Sequence, residues 1–352
     1  MTATNQSNHP VSLVSTVWND LEGCQVFFRQ MCEQTKFPDE IIITDAGSND
    51  GTWEFLQAES TEIRPWNLVL LQESRCNVAR GRNLAIAKSK HEIIASTDIG
   101  CEWDREWLEE LVEPLFQQAE VQMVAGSWGV RLAGLKGPWA LTEWALKGGK
   151  HESVAEAVTF ASSRSIAYRK SVWESIGGYA EDLTLAGDDT VFGHMMNLCK
   201  IKPAAAPRIR CYWHRHDTLC GFSKENLRNF IGEGEAGIGA RHFFLVGGRL
   251  AIEFSSLVAG VLSALLGFEG TWSLICLLPF FISLLLRIRV WNRVVKILKD
   301  LKVSLPWLRV IAFDMLLRWQ GLRGCLIGWF RGNRKCKAVR GRLQKMRLAQ
   351  ND

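Results

Sequence analysis

Three acidic sites in this sequence stand where a chain can do chemistry on a phosphorylated ligand. The run Ile93-Ile94-Ala95-Ser96-Thr97-Asp98 is apolar until it delivers a carboxylate, which is how a buried strand holds charge at the mouth of its sheet. Asp45 ends a second apolar run, Glu40-Ile-Ile-Ile-Thr44, and opens Ala46-Gly47-Ser48-Asn49-Asp50-Gly51-Thr52. Small and turn-forming residues there let the backbone come close to a ligand. Asp188-Asp189 opens a helical run, and His214-Arg215-His216 has the spacing of a metal pair. Each has a plainer reading in isolation: Asp98 and Asp188-Asp189 as helix N-caps, Arg80 and Arg82 as solvated helix-face charges, the histidines as surface groups.

The elements that must position these groups alternate between strand and helix. Val11-Ser-Leu-Val-Ser-Thr16 reads as a first strand after Pro10, followed by the polar loop Trp18-Asn19-Asp20 and a helix with apolar residues at Val26, Phe27 and Met31. The strand at 40–44 follows, then helix 52–57, strand 67–71, helix 77–88 carrying Arg80, Arg82 and Asn83, and the strand that ends at Asp98. This alternation predicts a largely parallel sheet with helices on both faces and the ligand at the carboxyl ends of the strands, where loops 16–20, 45–52 and 98–104 all fall. Helix 104–116 and a strand near 121–125 continue the pattern. Residues 126–153 show no clear period and read as an irregular, substrate-facing insertion. A strand over 160–168, helices over 170–176 and 189–199, and a last strand over 208–213 complete it.

Taken together, the motifs resemble an inverting glycosyltransferase of family 2 with the nucleotide-sugar-binding fold called GT-A, over roughly residues 10–240. The residues that carry the resemblance are Val11-Ser-Leu-Val-Ser-Thr-Val-Trp-Asn19, Gln34 to Thr52 with Asp45, Ala79-Arg80-Gly81-Arg82-Asn83, Thr97-Asp98-Ile99-Gly100-Cys101 with Trp107-Leu108, Gly177-Gly178-Tyr179 and Gly187-Asp188-Asp189. The resemblance implies a nucleoside-diphosphate sugar as donor, bound by Thr16, Trp18, Asp45, Arg80, Arg82, Asn83, Gly177 and Gly178. Asp45 would contact the base, although Ala46 stands where the family usually has a second acid. Trp18 would stack on the base in place of the usual tyrosine, or else be a core or rim tryptophan.

The family's D-x-D metal motif corresponds to Asp98-Ile99-Gly100, which lacks its second acid. A divalent cation, Mn or Mg, is expected at Asp98, completed by the diphosphate, water and a later residue such as His214 or His216. A departing nucleoside diphosphate needs positive charge where its own negative charge grows, and Arg80 or Arg82 would act as phosphate clamps. Asp189 matches the catalytic base, with Asp188 in the adjacent acidic place. The alternative is a catalytically silent relative that binds nucleotide sugar or scaffolds a glycan-assembly complex. Nucleotidyl transfer is disfavoured because no Gly-rich, basic loop follows the first strand. The G-x-G-x-x-G match Gly232-Glu-Gly234-Glu-Ala-Gly237 follows a charged helical stretch and not a strand, which argues against a dinucleotide site.

Composition divides the chain. Of 352 residues, the first 240 or so read as soluble α/β sequence, whereas those from about 243 to 286 read as membrane. The formal charge of +5 is modest but the end is densely basic, which fits a solvated end or one facing anionic lipid. The 10 cysteines form no C-x-x-C pair, consistent with a reduced, cytosolic catalytic region. The expected organisation is therefore a flexible tail over 1–10, a catalytic domain over 11–240, a transmembrane hairpin over 243–290 and a basic, partly amphipathic cytoplasmic tail over 291–352. One span plus a re-entrant segment, or two helices buried in a soluble core, remain open. Arg241 and Arg249 before the pair and Arg287, Arg289, Arg293, Lys296 and Lys299 after it place both ends in the cytosol. A lipid-linked or cell-envelope glycan acceptor follows from the membrane placement, and no nucleic-acid partner is expected.

Overall fold

Strand β1 (Val11–Val17) alternates apolar and small polar residues, is rich in β-branched side chains, and is buried along almost its whole length. In the computed structural model, which describes residues 9–147, 162–184, 186–303 and 306–351, it lies near the centre of an eight-stranded sheet. Helix α1 (Leu21–Met31) follows, capped by Asp20, whose carboxylate accepts from Gly23 N at 2.9 Å. Then come β2 (Glu40–Asp45), α2 (Thr52–Glu59), β3 (Asn67–Gln72), α3 (Val78–Lys88) and β4 (Ile93–Ser96). Further on are β5 (Cys101–Trp103), α4 (Trp107–Gln117), β6 (Met123–Gly129), α5 (Gly137–Leu146), β7 (Ile166–Arg169), α6 (Lys170–Ile176), α7 (Asp188–Leu198) and β8 (Ala204–Trp213).

The sheet order is β3-β2-β1-β4-β7-β6-β8-β5. Its first four strands are parallel, as the strand-helix alternation predicts, whereas β7 runs antiparallel to β4 and β6, and β5 antiparallel to β8. Both faces of the parallel half are covered. Val11, Leu13, Ile41 and Ile43 pack with Phe27, Phe28, Met31 and Trp107 from α1 and α4. On the other face α3 comes so close that a Cβ on Gly81 would lie 2.8 Å from Thr16 Cγ2, while Thr44 Oγ1 donates to the Gly81 carbonyl at 2.9 Å. That close approach explains the glycine between the two arginines.

The chain divides into two compact units, the first comprising 1–134, 151–215 and 335–352, the second 135–150 and 216–334. In the second unit lie α5, α8 (Leu219–Ala236), α9 (Ala240–Leu265), α10 (Gly270–Asp300) and α11 (Trp307–Lys335). Helices α9 and α10 form a hairpin, both long and apolar enough to cross a membrane. Phe244, Phe254, Leu265 and Leu274 on them are exposed, so this surface is not a soluble core. Gly232 and Gly234 of the G-x-G-x-x-G match lie in α8 and Gly237 is its left-handed C-cap; a Cβ on Gly234 would meet the Cys325 carbonyl, and one on Gly324 of α11 would sit 2.7 Å from the Leu227 carbonyl. They let α8 and α11 touch backbone to backbone.

Some expectations are revised. Residues 126–147 are ordered as the end of β6, a 3-10 turn at Leu132–Gly134 and α5, because the apolar run Trp139-Ala140-Leu141 packs as helix; 148–153 lie outside the described residues. The strand expected over 160–168 begins at Ile166, with 160–161 likewise outside them. Within 291–352, the expected basic tail, α10 continues to Asp300, α11 follows, and the last helix, α12 (Lys337–Asn351), belongs to the first unit. Asp182 caps this helix, its Oδ2 accepting from Ala338 N at 3.0 Å and Val339 N at 3.1 Å. Arg342 reaches back to the carbonyls of Gly177 and Gly178 at the end of α6. Asp182→Ala is expected to cost about 1 kcal/mol, the usual loss for an N-cap, read as a lower melting temperature for the purified protein.

Candidate active site

The carboxyl ends of the parallel strands put the polar loops side by side. Val17 pairs with Asp45 in the β1–β2 register, and Thr97 N donates to the Val14 carbonyl, so Asp98 emerges beside β1. The loop after β1 is bonded to the loop after β2: Asn19 N donates to Ser48 Oγ, Asn49 N to Asn19 Oδ1 and Asp20 N to Thr52 Oγ1, at 2.8 to 3.1 Å. Trp18, 67% exposed, stands at the rim of this edge. Asp45 is fully buried. Its Oδ1 accepts from Gly47 N, Ser48 N and Gln72 Nε2, while its Oδ2 has no partner among the described residues. A buried acceptor left unpaired is costly, so it marks a place where a donor belongs.

Asp98 and Asp188 are joined by one guanidinium. Arg82, almost fully buried, gives one nitrogen to Asp98 and another to Asp188. It reaches them because Arg82 occupies the inward face of α3 with Ala79, Ala85 and Ile86, and its plane lies 5.5 Å from the Tyr179 ring centre. Burial pulls the guanidinium pKa down, but Asp188 and Asp98 outweigh it and hold the group above its ordinary value. Asp188 is pushed up to about 6 by burial, opposed by Arg82 and assisted by Asp189 and Asp98. Asp189 is bonded on both oxygens: its Oδ2 accepts from Ser162 Oγ at 3.2 Å and its Oδ1 from Thr190 N at 2.8 Å. Gly187, at φ +91°, turns the chain so that both acids enter the first turn of α7.

This arrangement has a pH signature. Asp188 binds its proton more tightly folded than unfolded, so the stability it contributes is complete below the ordinary 3.8 and is lost as pH rises through about 6. Asp188→Asn removes that titration, and the variant's melting temperature is expected to vary less than the parent's between about pH 4 and 7.

The remaining expected residues are placed differently. Arg80 is half-exposed and holds Glu73 with two nitrogens, at 3.0 and 3.2 Å. Asn83 Oδ1 accepts from Trp173 Nε1 and Tyr179 N at 2.9 Å, and its Nδ2 donates to the Tyr179 carbonyl and to Glu181. Gly178 makes room for that clamp, since a Cβ there would lie 2.8 Å from Asn83 Oδ1. Gly177 is the left-handed C-cap of α6. Thr16 faces Gly81. His214 Nε2 lies 3.1 Å from Glu102 Oε1, and His216, in the second unit, lies 3.4 Å from Glu225.

One charged group escaped sequence reasoning. Arg164, just before β7, has its Nε 3.8 Å from Asp98 Oδ2 and its guanidinium 3.6 Å from the Trp213 ring centre. An arginine in the short segment Ser162-Ser163-Arg164-Ser165 carries no signal of this, because the strand pairing that brings it to Asp98 is nonlocal.

The donor set at Asp98 decides how a divalent cation fits. Gly100 sits at φ +87°, a conformation side chains resist, where the family has its second acid. Asp98 Oδ1 is taken by Arg82, its side chain is one-third exposed, and no group of three metal-binding side chains occurs among the described residues. One carboxylate oxygen suits a cation that keeps its waters and takes its other ligands from a diphosphate.

Residues 12–177 match the family model described as Glycosyl transferase family 2. This segment is a family 2 glycosyltransferase domain. The glycosyltransferase AglE of Haloferax volcanii is 27% identical over 186 residues, which cover 51% of this chain and 58% of AglE. Among solved structures, the mannosyltransferase PcManGT from Pyrobaculum calidifontis, in complex with GDP-Man and Mn2+, superposes with a TM-score of 0.54 at 17% identity, covering 94% of this chain and 89% of that one. At that identity the likeness establishes the fold, which is of GT-A type. The glycosyltransferase domain thus carries Asp45, Arg82 and Asp98 inside the matched segment, and Asp188-Asp189 just beyond it.

Proposed function

We propose that the protein is a membrane-anchored inverting glycosyltransferase that moves a hexose from a nucleoside-diphosphate sugar to a lipid-linked or cell-envelope glycan acceptor. The observation that carries this reading is the gathering of Asp98 and the Asp188-Asp189 pair around one buried arginine at the carboxyl edge of the sheet. In this reading the base of the donor donates an N–H to Asp45 Oδ2, whose neighbour Trp18 offers an exposed ring for stacking. Arg82 is a positioning residue and not a phosphate clamp, since both its faces are committed to carboxylates.

Asp189 takes the proton of the acceptor hydroxyl as its oxygen bonds to the anomeric carbon from the side opposite the diphosphate. The bond from that carbon to the diphosphate breaks in the same displacement, which inverts the centre. Arg164, beside Asp98, faces the charge that gathers on the leaving diphosphate. Asp98 would hold a divalent cation, Mn or Mg, which when bound neutralises that diphosphate. His214 and His216 are engaged by glutamates and are not needed in this scheme.

The two apolar helices α9 and α10 supply the anchor, with their basic flanks on the cytoplasmic face and the catalytic domain on that same side. The test is a panel of uridine-, guanosine- and thymidine-diphosphate sugars with and without manganese or magnesium. It uses full-length protein in detergent with membrane lipid extract as acceptor, following nucleotide binding and nucleoside-diphosphate release. Metal-stimulated release from one donor supports the proposal, and absence of nucleotide binding across the panel overturns it.

A further inference from the structure

Within the second unit, α9, α10 and α11 enclose a cluster of charge that the transfer chemistry does not use. Arg249 Nε donates to Glu253 Oε1 at 3.1 Å and to Ser283 Oγ at 2.7 Å, and its Nη2 donates to the Ser283 carbonyl at 2.6 Å. Ser283 in turn donates to Glu253. Arg287 pairs with Asp314, whose Oδ2 also accepts from Trp291 Nε1 at 3.1 Å. Arg318 stands 3.8 Å from both Glu253 and Asp314, near enough for attraction but too far for a hydrogen bond.

The cluster is out of balance. Three guanidinium groups face two carboxylates, leaving one positive charge in excess, and all five side chains are mostly buried. Nε of Arg287 and Nε of Arg318 are buried with no hydrogen-bond partner among the described residues. Burial lowers the Arg318 pKa, with Arg287 and Arg249 adding to the effect and Asp314 and Glu253 opposing it. A buried cation with unpaired donors is unfavourable unless something anionic completes it.

Depth along the hairpin says where that anion comes from. Residues 254–268 and 271–286 are uncharged, and the turn lies at 266–269. Arg249 precedes Leu266 by as many residues as Arg287 follows Gly270, so both lie about 25 Å along their helices from the turn at 1.5 Å per residue. Against a hydrocarbon core of about 30 Å, that puts the arginine backbones within about 5 Å of the boundary opposite the turn, close enough for long side chains to reach the headgroups.

We infer that this cluster is a binding site for the phosphate group of a membrane lipid, whose negative charge offsets the excess and whose oxygens accept from the unpaired guanidinium N–H groups. The inference rests on the membrane placement proposed above. The same phosphate chemistry is offered by a polyprenyl phosphate acceptor and by a bulk anionic phospholipid.

The experiment uses full-length protein in phosphatidylcholine nanodiscs doped with polyprenyl phosphate, phosphatidylglycerol or uncharged polyprenol, with retained lipid counted by native mass spectrometry. Nucleotide binding and melting temperature are followed on the same samples. Phosphorylated lipid is expected to be retained over polyprenol; Arg318→Gln, which removes an unpaired donor with its charge, and Arg249→Gln, which removes the excess positive charge, are each expected to weaken that retention by about 10-fold or more. Nucleotide binding should be unchanged. Selective retention of polyprenyl phosphate names the acceptor as occupant, and equal retention of phosphatidylglycerol names bulk lipid; either supports the site. Equal retention of polyprenol, or undiminished retention by both variants, would mean that the cluster is only a lock between helices. If Arg318→Gln lowers the melting temperature, Arg249→Gln, at the most exposed of the three, decides. Failure to enter nanodiscs overturns the membrane placement itself, and loss of nucleotide binding by the parent protein points to the donor reading instead.

Discussion

Asp189→Asn is expected to abolish sugar transfer while donor binding persists. A positioned general base contributes typically about 10²–10⁴-fold, and the turnover number should fall by that factor. The variant keeps the size of the side chain and its contacts with Ser162 and the Thr190 backbone, so the loss belongs to proton transfer and not to folding. Single-turnover release of nucleoside diphosphate, set beside equilibrium donor binding, checks both halves. A variant that keeps parental turnover would move the base elsewhere, and a catalytically silent protein would show no turnover with either residue.

Arg82→Leu is expected to be the most damaging single change at this edge. It leaves Asp98 and Asp188 facing each other without their shared cation, and breaking a buried pair costs about 3–5 kcal/mol. The melting temperature should drop by many degrees at neutral pH and recover partly in acid, because protonating Asp188 relieves the repulsion. Arg82→Lys keeps the charge but offers one point donor where the native side chain bridges two carboxylates. It is expected to retain most of the stability and to lose donor affinity. A neutral-pH melting temperature unchanged in Arg82→Leu would show that the carboxylates do not depend on the arginine.

These two residues show why the site was only partly readable before the fold was known. Asp45, Asp98 and Asp188-Asp189 were legible as candidates because strand ends and helix starts are local features; the parallel strands send Asp45 and Asp98 to one edge, and Arg82 ties Asp188 to it. Arg82 was legible as a candidate, yet its pairing with two carboxylates was not. Its spacing, three residues after Ala79 and four before Ile86, already placed it on the buried face of a helix, and a buried arginine needs carboxylates before it needs a ligand. Arg164 left no local trace, because its position beside Asp98 depends on the antiparallel pairing of β7 with β4. Asn83 has donors and acceptors suited to a sugar, but they are engaged by Trp173, Tyr179 and Glu181 around the Gly177-Gly178 turn. The docking of the last helix was illegible for a similar reason: nothing within α12 announces that Asp182 and the end of α6 are its partners.

The docking of α12 has a consequence for how the protein is made. Cys336 Sγ donates to the Asp182 carbonyl across 154 residues of chain, and everything between them includes the apolar hairpin. At about 5–20 residues per second, a ribosome needs roughly 8–30 s to synthesise that interval. During this time the turn leading to Asp188-Asp189 lacks the helix that buttresses it. In the membrane-anchored reading proposed above, the nascent domain waits, incomplete, while its hairpin is delivered to the lipid bilayer. On that reading its final assembly step falls after insertion, so a chain whose hairpin goes astray is also one whose turn before Asp188-Asp189 is finished late.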